Sequence, residues 1–266
     1  MHDAATRPAD PPPAPSTGAP TLSVVIPVRN RAGTRLENCL RSLRWQQFDG
    51  GLEVVVSDFG SDASEVAPLQ ALCDRQGARL VRTETEALWN RSRALNVGIQ
   101  AATGRYVLCT DADMLFSPDF AGHVVRAQRE ADDRALVLCR CHDLPEQLEE
   151  APRVLEEFDA LRAKASVRQT SGTGACQVAT RDFFVAVRGY DEGYEYWGAE
   201  DNDMVSRATR YGLQPVWLPE APAMLHQWHP TMKNDRPFRR KWNEWRYRLT
   251  RRVVVKNRKG WGSERG

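Results

Sequence analysis

Apolar runs alternate with helix-like stretches over the first half of the chain. Four runs are nearly continuous in apolar and β-branched residues, which is typical of strands buried on both faces. They are TLSVVIPVRN, LEVVVSDFGS, ARLVRT and RYVLCTDAD. Amphipathic segments of helical length lie between them, at about 34–45, 64–76 and 92–102. This alternation predicts an α/β fold with a mostly parallel central sheet and helices on both faces.

The second half of the chain is less regular. It contains a strand-like run, ALVLCRC, a helical pattern at about 152–165 and the loop QTSGTGACQVAT. A further amphipathic helix is predicted at about 199–211, where Gly212 ends the pattern.

Polar side chains follow three of the four predicted strands. Arg29 comes after the first strand, Asp58 lies near the end of the second, and Asp111 and Asp113 follow the fourth. The carboxyl ends of parallel strands meet at one edge of a sheet, where ligands of such folds bind. The sequence therefore predicts a polar cleft at this edge.

The spacing of Asp111 and Asp113 directs both carboxylates to one side while strand geometry lasts. Mg²⁺ and Mn²⁺ favour carboxylate ligands together with substrate phosphate oxygens, although Asp residues also mark turns after strands. His226 and His229 follow another strand-like segment, in PAMLHQWHP, and a neutral imidazole suits manganese. We predict His226 as a ligand and leave His229 undecided.

Three acids cluster at the start of the last predicted helix, in EYWGAEDNDMVSR. The positive end of a helix dipole stabilises acids there, which is the simpler explanation. A carboxylate beside an incoming hydroxyl can instead act as a general base. Crowding by Glu200 and Asp203 is expected to raise the pKa of Asp201 and make it a better base.

Charge and composition narrow the class of partner. The 266-residue chain is 41% hydrophobic with a formal net charge of +2, so nothing in its overall charge indicates nucleic acid. The basic charge is local to the tail, where Lys and Arg are interleaved with Phe238, Trp242 and Trp245. This pattern fits a contact with an anionic membrane surface or a solvated helix whose aromatic residues cover the core.

The six cysteines mostly lie inside apolar or helical runs, which predicts reduced, buried thiols. No stretch approaches the ~20 apolar residues of a membrane span, and the N-terminus lacks the apolar centre of a signal peptide. We therefore predict a cytoplasmic protein, with a peripheral contact at the inner membrane face as a further option. Its predicted parts are a disordered leader, 1–20, one domain, 21–232, and a basic aromatic tail, 233–266.

Five segments resemble the GT-A fold glycosyltransferases of the large inverting family 2. They are VVIPVRNR, VVVSDFGSD, WNRSRALNVGIQAATGRYVLCTDADML, GTGACQVATRDFFVAVRGYDEGYEYWGAEDNDMVSR and MLHQWHP. The last two look most like the carboxyl-terminal half shared by β-1,4-galactosyltransferases and chondroitin-polymerase-type GalNAc transferases.

The resemblance implies a Rossmann-like GT-A fold, with a nucleotide-binding half at 21–115 and an acceptor and catalytic half at 116–232. The implied reaction moves a sugar from a UDP-sugar donor to a hydroxyl of a glycan or lipid-linked glycan, with inversion. The implied cofactor is Mn²⁺ or Mg²⁺.

The resemblance also implies roles for single residues. Asp201 matches the catalytic carboxylate, with Glu200 beside it, which can instead hold acceptor hydroxyls. Asp113 and His226 would bind the cation, and Asp111 would approach the ribose or a metal-bound water. The donor pocket would include Pro27, Arg29, Asp58, Arg91, Asn96, Trp197 and Gly198, with Asp58 accepting a hydrogen bond from uracil.

Three alternatives stay open. A retaining glycosyltransferase of the same fold shares the Trp-Gly region. A nucleotidyltransferase that makes nucleotide sugars needs several glycines in a phosphate-cradling loop, whereas RAGTRL offers Gly33 alone. A catalytically inactive domain that binds a nucleotide sugar, or an envelope partner through the basic tail, would not show metal-dependent nucleotide release.

Overall fold

The computed structural model describes residues 18–168, 172–196, 198–219, 221, 223–230 and 237–262. Its strands are β1 Leu22–Val28, β2 Leu52–Phe59, β3 Arg79–Thr83, β4 Tyr106–Cys109, β5 Met114–Phe116, β6 Ala135–Leu138, β7 Cys141–Asp143, β8 Ser166–Val167, β9 Gln177–Thr180, β10 Gln214–Trp217 and β11 Met224–His226. Its α-helices are α1 Thr34–Arg44, α2 Ala63–Gln76, α3 Arg91–Ala101, α4 Phe120–Glu130, α5 Phe158–Lys164, α6 Arg181–Val187, α7 Glu200–Tyr211 and α8 Pro237–Thr250.

A seven-stranded sheet forms the centre, in the order β10-β6-β9-β4-β1-β2-β3. Among these strands only β9 runs antiparallel to its neighbours, β4 and β6. Strand β1 is buried along its whole length, and its alternate side chains serve opposite layers. Val24 and Ile26 pack under α1 and α2, whereas Val25 packs against α3. The predicted α/β fold with a mostly parallel sheet is confirmed.

Helices cover both faces of this sheet, as predicted. Helices α1, α2 and α4 pack on one face, and α3, α6 and α7 pack on the other. Helix α7 ends where the sequence indicated, at Gly212, whose φ of 107° is a left-handed conformation that favours glycine. All six cysteines are buried and free.

A second, four-stranded sheet has the order β5-β11-β7-β8. Strand β11 pairs antiparallel with β5, so that His226 lies opposite Met114. Gln227 then donates its backbone N–H to the carbonyl oxygen of Asp113, at 2.9 Å. This pairing brings the end of β11 beside the polar loop that follows β4, across more than a hundred residues of sequence.

Two parts of the second half differ from the prediction. Residues 177–180 of the predicted loop QTSGTGACQVAT form β9, and residues 169–171 lie outside the described ranges. The strand is only four residues long and lacks a run of β-branched residues. Pairing with β4 on one edge and β6 on the other stabilises it. The helix expected at about 152–165 begins only at Phe158, after a 3₁₀ turn. Helix α4 is not among the predicted elements.

The basic tail forms α8, but its aromatic residues do not cover the core as one interpretation expected. Phe238, Trp242 and Trp245 are all exposed, because polar contacts rather than these side chains attach the helix to the fold. Within the described ranges, no helix combines the length and apolar character that crossing a membrane requires. Most of the expected leader, 1–17, lies outside the described residues.

A buried ion pair fixes α7 to its surroundings. Arg207 is fully buried, and its Nε lies 3.0 Å from Asp203 Oδ2, one turn earlier on the helix. Its Nη1 donates to the carbonyl oxygens of Val187, the last residue of α6, and Val254, beyond α8. One guanidinium therefore ties three separate segments together.

We expect Arg207→Ala to lower the free energy of unfolding by about 3–5 kcal/mol, because the buried Asp203 carboxylate loses its main partner. Urea denaturation followed by circular dichroism measures the change. Arg210→Ala is the matched control, since Arg210 is exposed in the last turn of the same helix. It should cost less than about 1 kcal/mol. Equal losses in both variants would contradict a structural role for the buried pair.

Candidate active site

Side chains from four parts of the chain meet at the carboxyl edge of the central sheet. Asp111 and Asp113 follow β4, and His226 ends β11. Arg91 begins α3, and Asp201 lies in the first turn of α7. The structure thus brings five of the predicted site residues to one region, in two linked groups.

The first group consists of Asp113, His226 and His229, whose potential ligand atoms all lie within 4.8 Å of one another. His229 Nε2 is 3.0 Å from Asp113 Oδ2, and His226 Nε2 is 3.9 Å from Asp113 Oδ1. Asp113 Oδ1 is buried and has no hydrogen-bond partner in the described part of the chain. One carboxylate and two imidazoles suit a divalent transition metal such as Mn²⁺.

The charges in this group favour an ionised carboxylate. Burial by itself would raise the pKa of Asp113, but the hydrogen bond from His229 and the charges of both imidazoles outweigh it and lower the pKa. The same hydrogen bond raises the pKa of His229. A cation would replace the proton on His229, because metal ligands bind in their deprotonated forms.

Asp143 lies behind His226 and orients its ring. His226 Nδ1 is 3.0 Å from Asp143 Oδ1, and Arg168 Nε donates to Asp143 Oδ2 at 2.9 Å. A proton on Nδ1 leaves Nε2 with its lone pair toward Asp113, as carboxylates behind metal-binding histidines commonly arrange. Asp143 was not predicted. It lies opposite His226 in the parallel pair β7 and β11, and this register is invisible in the sequence.

The second group is centred on Arg91, which is largely buried. Its Nε donates to Asp111 Oδ1 at 2.9 Å, and its Nη1 donates to Asp201 Oδ1 at 3.0 Å. Its Nη2 donates to the carbonyl oxygen of Gly174 at 2.7 Å. Asp111 therefore pairs with Arg91 rather than joining the histidine group, and its role toward a cation stays a prediction.

Asp201 has an unusual proton affinity for an aspartate. Burial and the charge of Glu200 raise its pKa to about 7, against the opposing charge of Arg91. Burial also raises the pKa of Glu200, whose Oε2 accepts the Gly198 N–H at 3.0 Å. The expected contribution of Asp203 is wrong, because its side chain lies on another side of α7, beside Arg207 and Lys256.

The backbone around Asp201 is tightly constrained. A Cβ on Gly174 would lie 2.3 Å from Asp201 Oδ2, so only glycine lets the carboxylate approach. Sequence reasoning assigned no role to Gly174, and its only signal was its place in the GTGACQ loop. Gly198 and Ala199 have φ values of 106° and 73°. The left-handed conformation costs Ala199 about 1–2 kcal/mol.

The remaining residues of the predicted donor pocket lie in different surroundings. Pro27 is buried in β1, and Arg29 Nη1 donates to the carbonyl oxygen of Ala87 at 2.6 Å. Asp58 Oδ1 accepts the backbone N–H of Ser61 at 3.1 Å.

Asn96 is fully buried, and its amide bonds to the backbone of Tyr190 through both its nitrogen and its oxygen. It ties α3 to the 190–192 loop instead of facing the cleft, which corrects its expected position beside a nucleotide. Trp197 lies outside the described residues.

Two protein-family models match the chain. The family model for glycosyl transferase family 2 matches residues 23–185, more than half of the chain. The chain belongs to glycosyl transferase family 2. A second family model, described as the N-terminal domain of galactosyltransferase, matches residues 153–230, which include Asp201, His226 and His229.

Relatives of this family 2 protein are distant and longer. The candidate glycosyltransferase EpsH of Bacillus subtilis (strain 168) is 31% identical over 121 residues, 45% of this chain and 33% of EpsH. The chain spans 26% to 33% of the length of the curated relatives it matches.

Solved structures support the fold of the family 2 domain. S. aureus TarS in complex with UDP superposes with a TM-score of 0.57 at 17% identity, over 79% of this chain and 61% of that chain. GalNAc-T7 with UDP, GalNAc and Mn²⁺ gives a TM-score of 0.59 at 17% identity, over 80% of this chain and 45% of that chain. At this identity the likeness shows the fold alone, which is the GT-A fold of glycosyltransferases.

We expect Asp143→Asn to weaken Mn²⁺ binding about 10–100-fold, because His226 loses the carboxylate that holds its ring and tautomer. His226→Ala and His229→Ala should weaken binding further, since each removes a candidate ligand. Titration of Mn²⁺, followed by electron paramagnetic resonance of the free ion, measures the affinity.

His123→Ala is the control for this series, because His123 lies on α4, away from the group. Wild-type affinity in His229→Ala would limit the ligand set to Asp113 and His226. Wild-type affinity in all the variants would overturn the metal centre.

Proposed function

We propose that this protein transfers a sugar from a UDP-sugar to a hydroxyl of a glycan or lipid-linked glycan, with inversion and with Mn²⁺ or Mg²⁺ as cofactor. One observation carries the proposal. The half-buried carboxylate of Asp201 is linked through Arg91 and Asp111 to the loop after β4, where Asp113 meets the two histidines, and burial together with the charge of Glu200 raises its pKa to about 7. A base for the acceptor and a candidate cation site for the donor thus share one edge of the sheet.

The donor side of the site is formed by Asp113, His226 and His229. When a divalent cation is bound, it supplies Lewis-acid neutralisation of the charge that develops on the departing diphosphate. Carboxylate and imidazole ligands fit Mn²⁺. UDP as the nucleotide is supported by the resemblance of the sequence to UDP-sugar enzymes, and by the UDP complexes of TarS and GalNAc-T7, which share the fold.

The acceptor side is formed by Asp201, which takes the proton of the incoming hydroxyl. The acceptor oxygen forms a bond to the anomeric carbon while the bond from that carbon to the diphosphate oxygen breaks. The bonding electron pair leaves with the diphosphate. Displacement in one step inverts the anomeric configuration. A general base of this kind contributes about 10²–10⁴-fold to the rate.

Arg91 and Glu200 tune this base in opposite directions. The guanidinium of Arg91 holds one Asp201 oxygen in place and favours the ionised form, whereas the charge of Glu200 favours the protonated form. Burial raises the pKa most, and with these two charges it places the pKa of Asp201 at about 7, where a base is both available and strong. Glu200 also lies at the helix start where it can accept hydrogen bonds from acceptor hydroxyls.

We expect Asp201→Asn to lower the transfer rate about 10²–10⁴-fold while UDP binding is retained, because the amide keeps the shape but cannot take a proton. Transfer from a panel of UDP-sugars, with nuclear magnetic resonance of the product anomer, measures rate and configuration. Asp159→Asn, exposed on α5, is the control. Near-normal turnover in Asp201→Asn would rule out its role as the base, and a retained anomer would rule out single displacement.

The pH dependence follows from the same carboxylate. The base works only when ionised, so kcat/KM should fall as pH drops below about 7. Glu200→Gln removes a charge that raises the pKa of Asp201, so the midpoint should move to lower pH. Rates across pH for wild type, Glu200→Gln and the exposed control Glu130→Gln measure this. An unchanged midpoint in Glu200→Gln would show that another group titrates.

A further inference from the structure

Helix α8 exposes a row of large apolar side chains, the aromatic stripe, which consists of Phe238, Trp242, Trp245 and Leu249. Their exposed fractions are 87%, 53%, 51% and 59%. Successive residues of the stripe are four, three and four positions apart. Because an α-helix has 3.6 residues per turn, this spacing places all four side chains within about 60° of the helix circumference. The rings of Trp242 and Trp245 lie 4.9 Å apart between centroids, which forms a continuous apolar surface.

The opposite side of α8 attaches it to the catalytic half. Asn243 is buried and donates to the carbonyl oxygen of Glu195 at 2.9 Å. The Tyr247 hydroxyl lies 2.9 Å from Ser206 Oγ on α7, and Arg246 Nη2 donates to Asp191 at 2.7 Å. These contacts fix the rotation of the helix, so that the aromatic stripe faces away from the protein.

The charge of α8 has one dominant sign. Residues 237–252 hold seven Lys and Arg residues and one acid, Glu244. Lys241 and Arg248 are exposed and lie beside one edge of the stripe, and Arg252 is exposed just past the end of the helix. In the described part of the chain none of these three forms an ion pair, whereas Arg239 pairs with Glu195. Basic charge therefore borders the apolar surface without being neutralised.

We propose that α8 docks on an anionic membrane surface, with its axis in the plane of the surface and the aromatic stripe in the headgroup region. Tryptophan favours the membrane interface, and unpaired Lys and Arg side chains beside it attract anionic lipids. The helix is 14 residues long, too short to cross a bilayer, so it lies on the surface. Exposed Val253 and Val255 extend the apolar surface past the helix.

Docking in this way has a consequence for the catalytic half. Asn243 and Arg239 both hold Glu195, which lies in the loop that leads into α7 and Asp201. A docked α8 would thus hold this loop near the membrane surface. That consequence rests on the proposed function and fits an acceptor with a lipid anchor, whereas the docking itself does not depend on transfer.

Flotation of the full chain with vesicles tests the docking. We expect binding to vesicles of phosphatidylcholine with phosphatidylglycerol, weaker binding to phosphatidylcholine alone, and loss of binding at high salt. The double variant Lys241→Glu with Arg248→Glu should bind anionic vesicles at least about tenfold more weakly. Trp242→Ala with Trp245→Ala should also weaken binding, because it removes the interfacial rings.

Matched controls separate docking from general charge and folding effects. Arg126→Glu with Arg129→Glu makes the same charge change on α4, on the opposite face of the sheet, and Trp217→Ala removes an exposed ring elsewhere. Both should bind vesicles like wild type, and circular dichroism should be the same for all variants. The docking proposal is overturned if wild type binds no anionic vesicle, or if the α8 variants bind as well as the controls. Either result leaves the transfer reaction untouched.

Discussion

The ionic contacts of Arg91 are the interaction on which the candidate site depends. Asp111 and Asp201 come from different halves of the chain, and both are held by one guanidinium that also binds the Gly174 carbonyl oxygen. Two carboxylates at short range repel each other and resist burial unless a cation compensates them. Arg91 therefore allows β4, the Gly174 loop and α7 to close around one cleft.

The remaining structure places that guanidinium and its partners. Strand β9 fills the gap between β4 and β6 and sets the Gly174 loop beside Arg91. The buried Arg207 and Asp203 pair holds α7, so that the first turn presents Asp201 to the cleft. The second sheet carries His226 to Asp113. Each of these contacts positions a side chain that takes part in the proposed reaction.

The surroundings of the carboxylates in the site shift their pKa values in opposite directions. Asp113 lies beside two imidazoles, and its pKa is lowered in spite of burial. Burial and the charge of Glu200 raise the pKa of Asp201 to about 7 in spite of Arg91. Carboxyl groups whose pKa values are driven apart are suited to different tasks, one to hold a cation and the other to exchange a proton. In the proposed reaction, Asp113 would serve the sugar-nucleotide donor and Asp201 would serve the acceptor within one cleft.

The sequence by itself determined the alternation of strands and helices, the polar residues at strand ends and the acidic first turn of α7. These are local patterns with a period of two or 3.6 residues, and the chain shows them before it folds. Tertiary structure alone decided that Asp143 supports His226, that Gly174 makes room for Asp201 and that Asn96 is buried. These contacts depend on strand register and helix packing between residues far apart in sequence, for example the 83 positions between Arg91 and Gly174, and no local pattern encodes them.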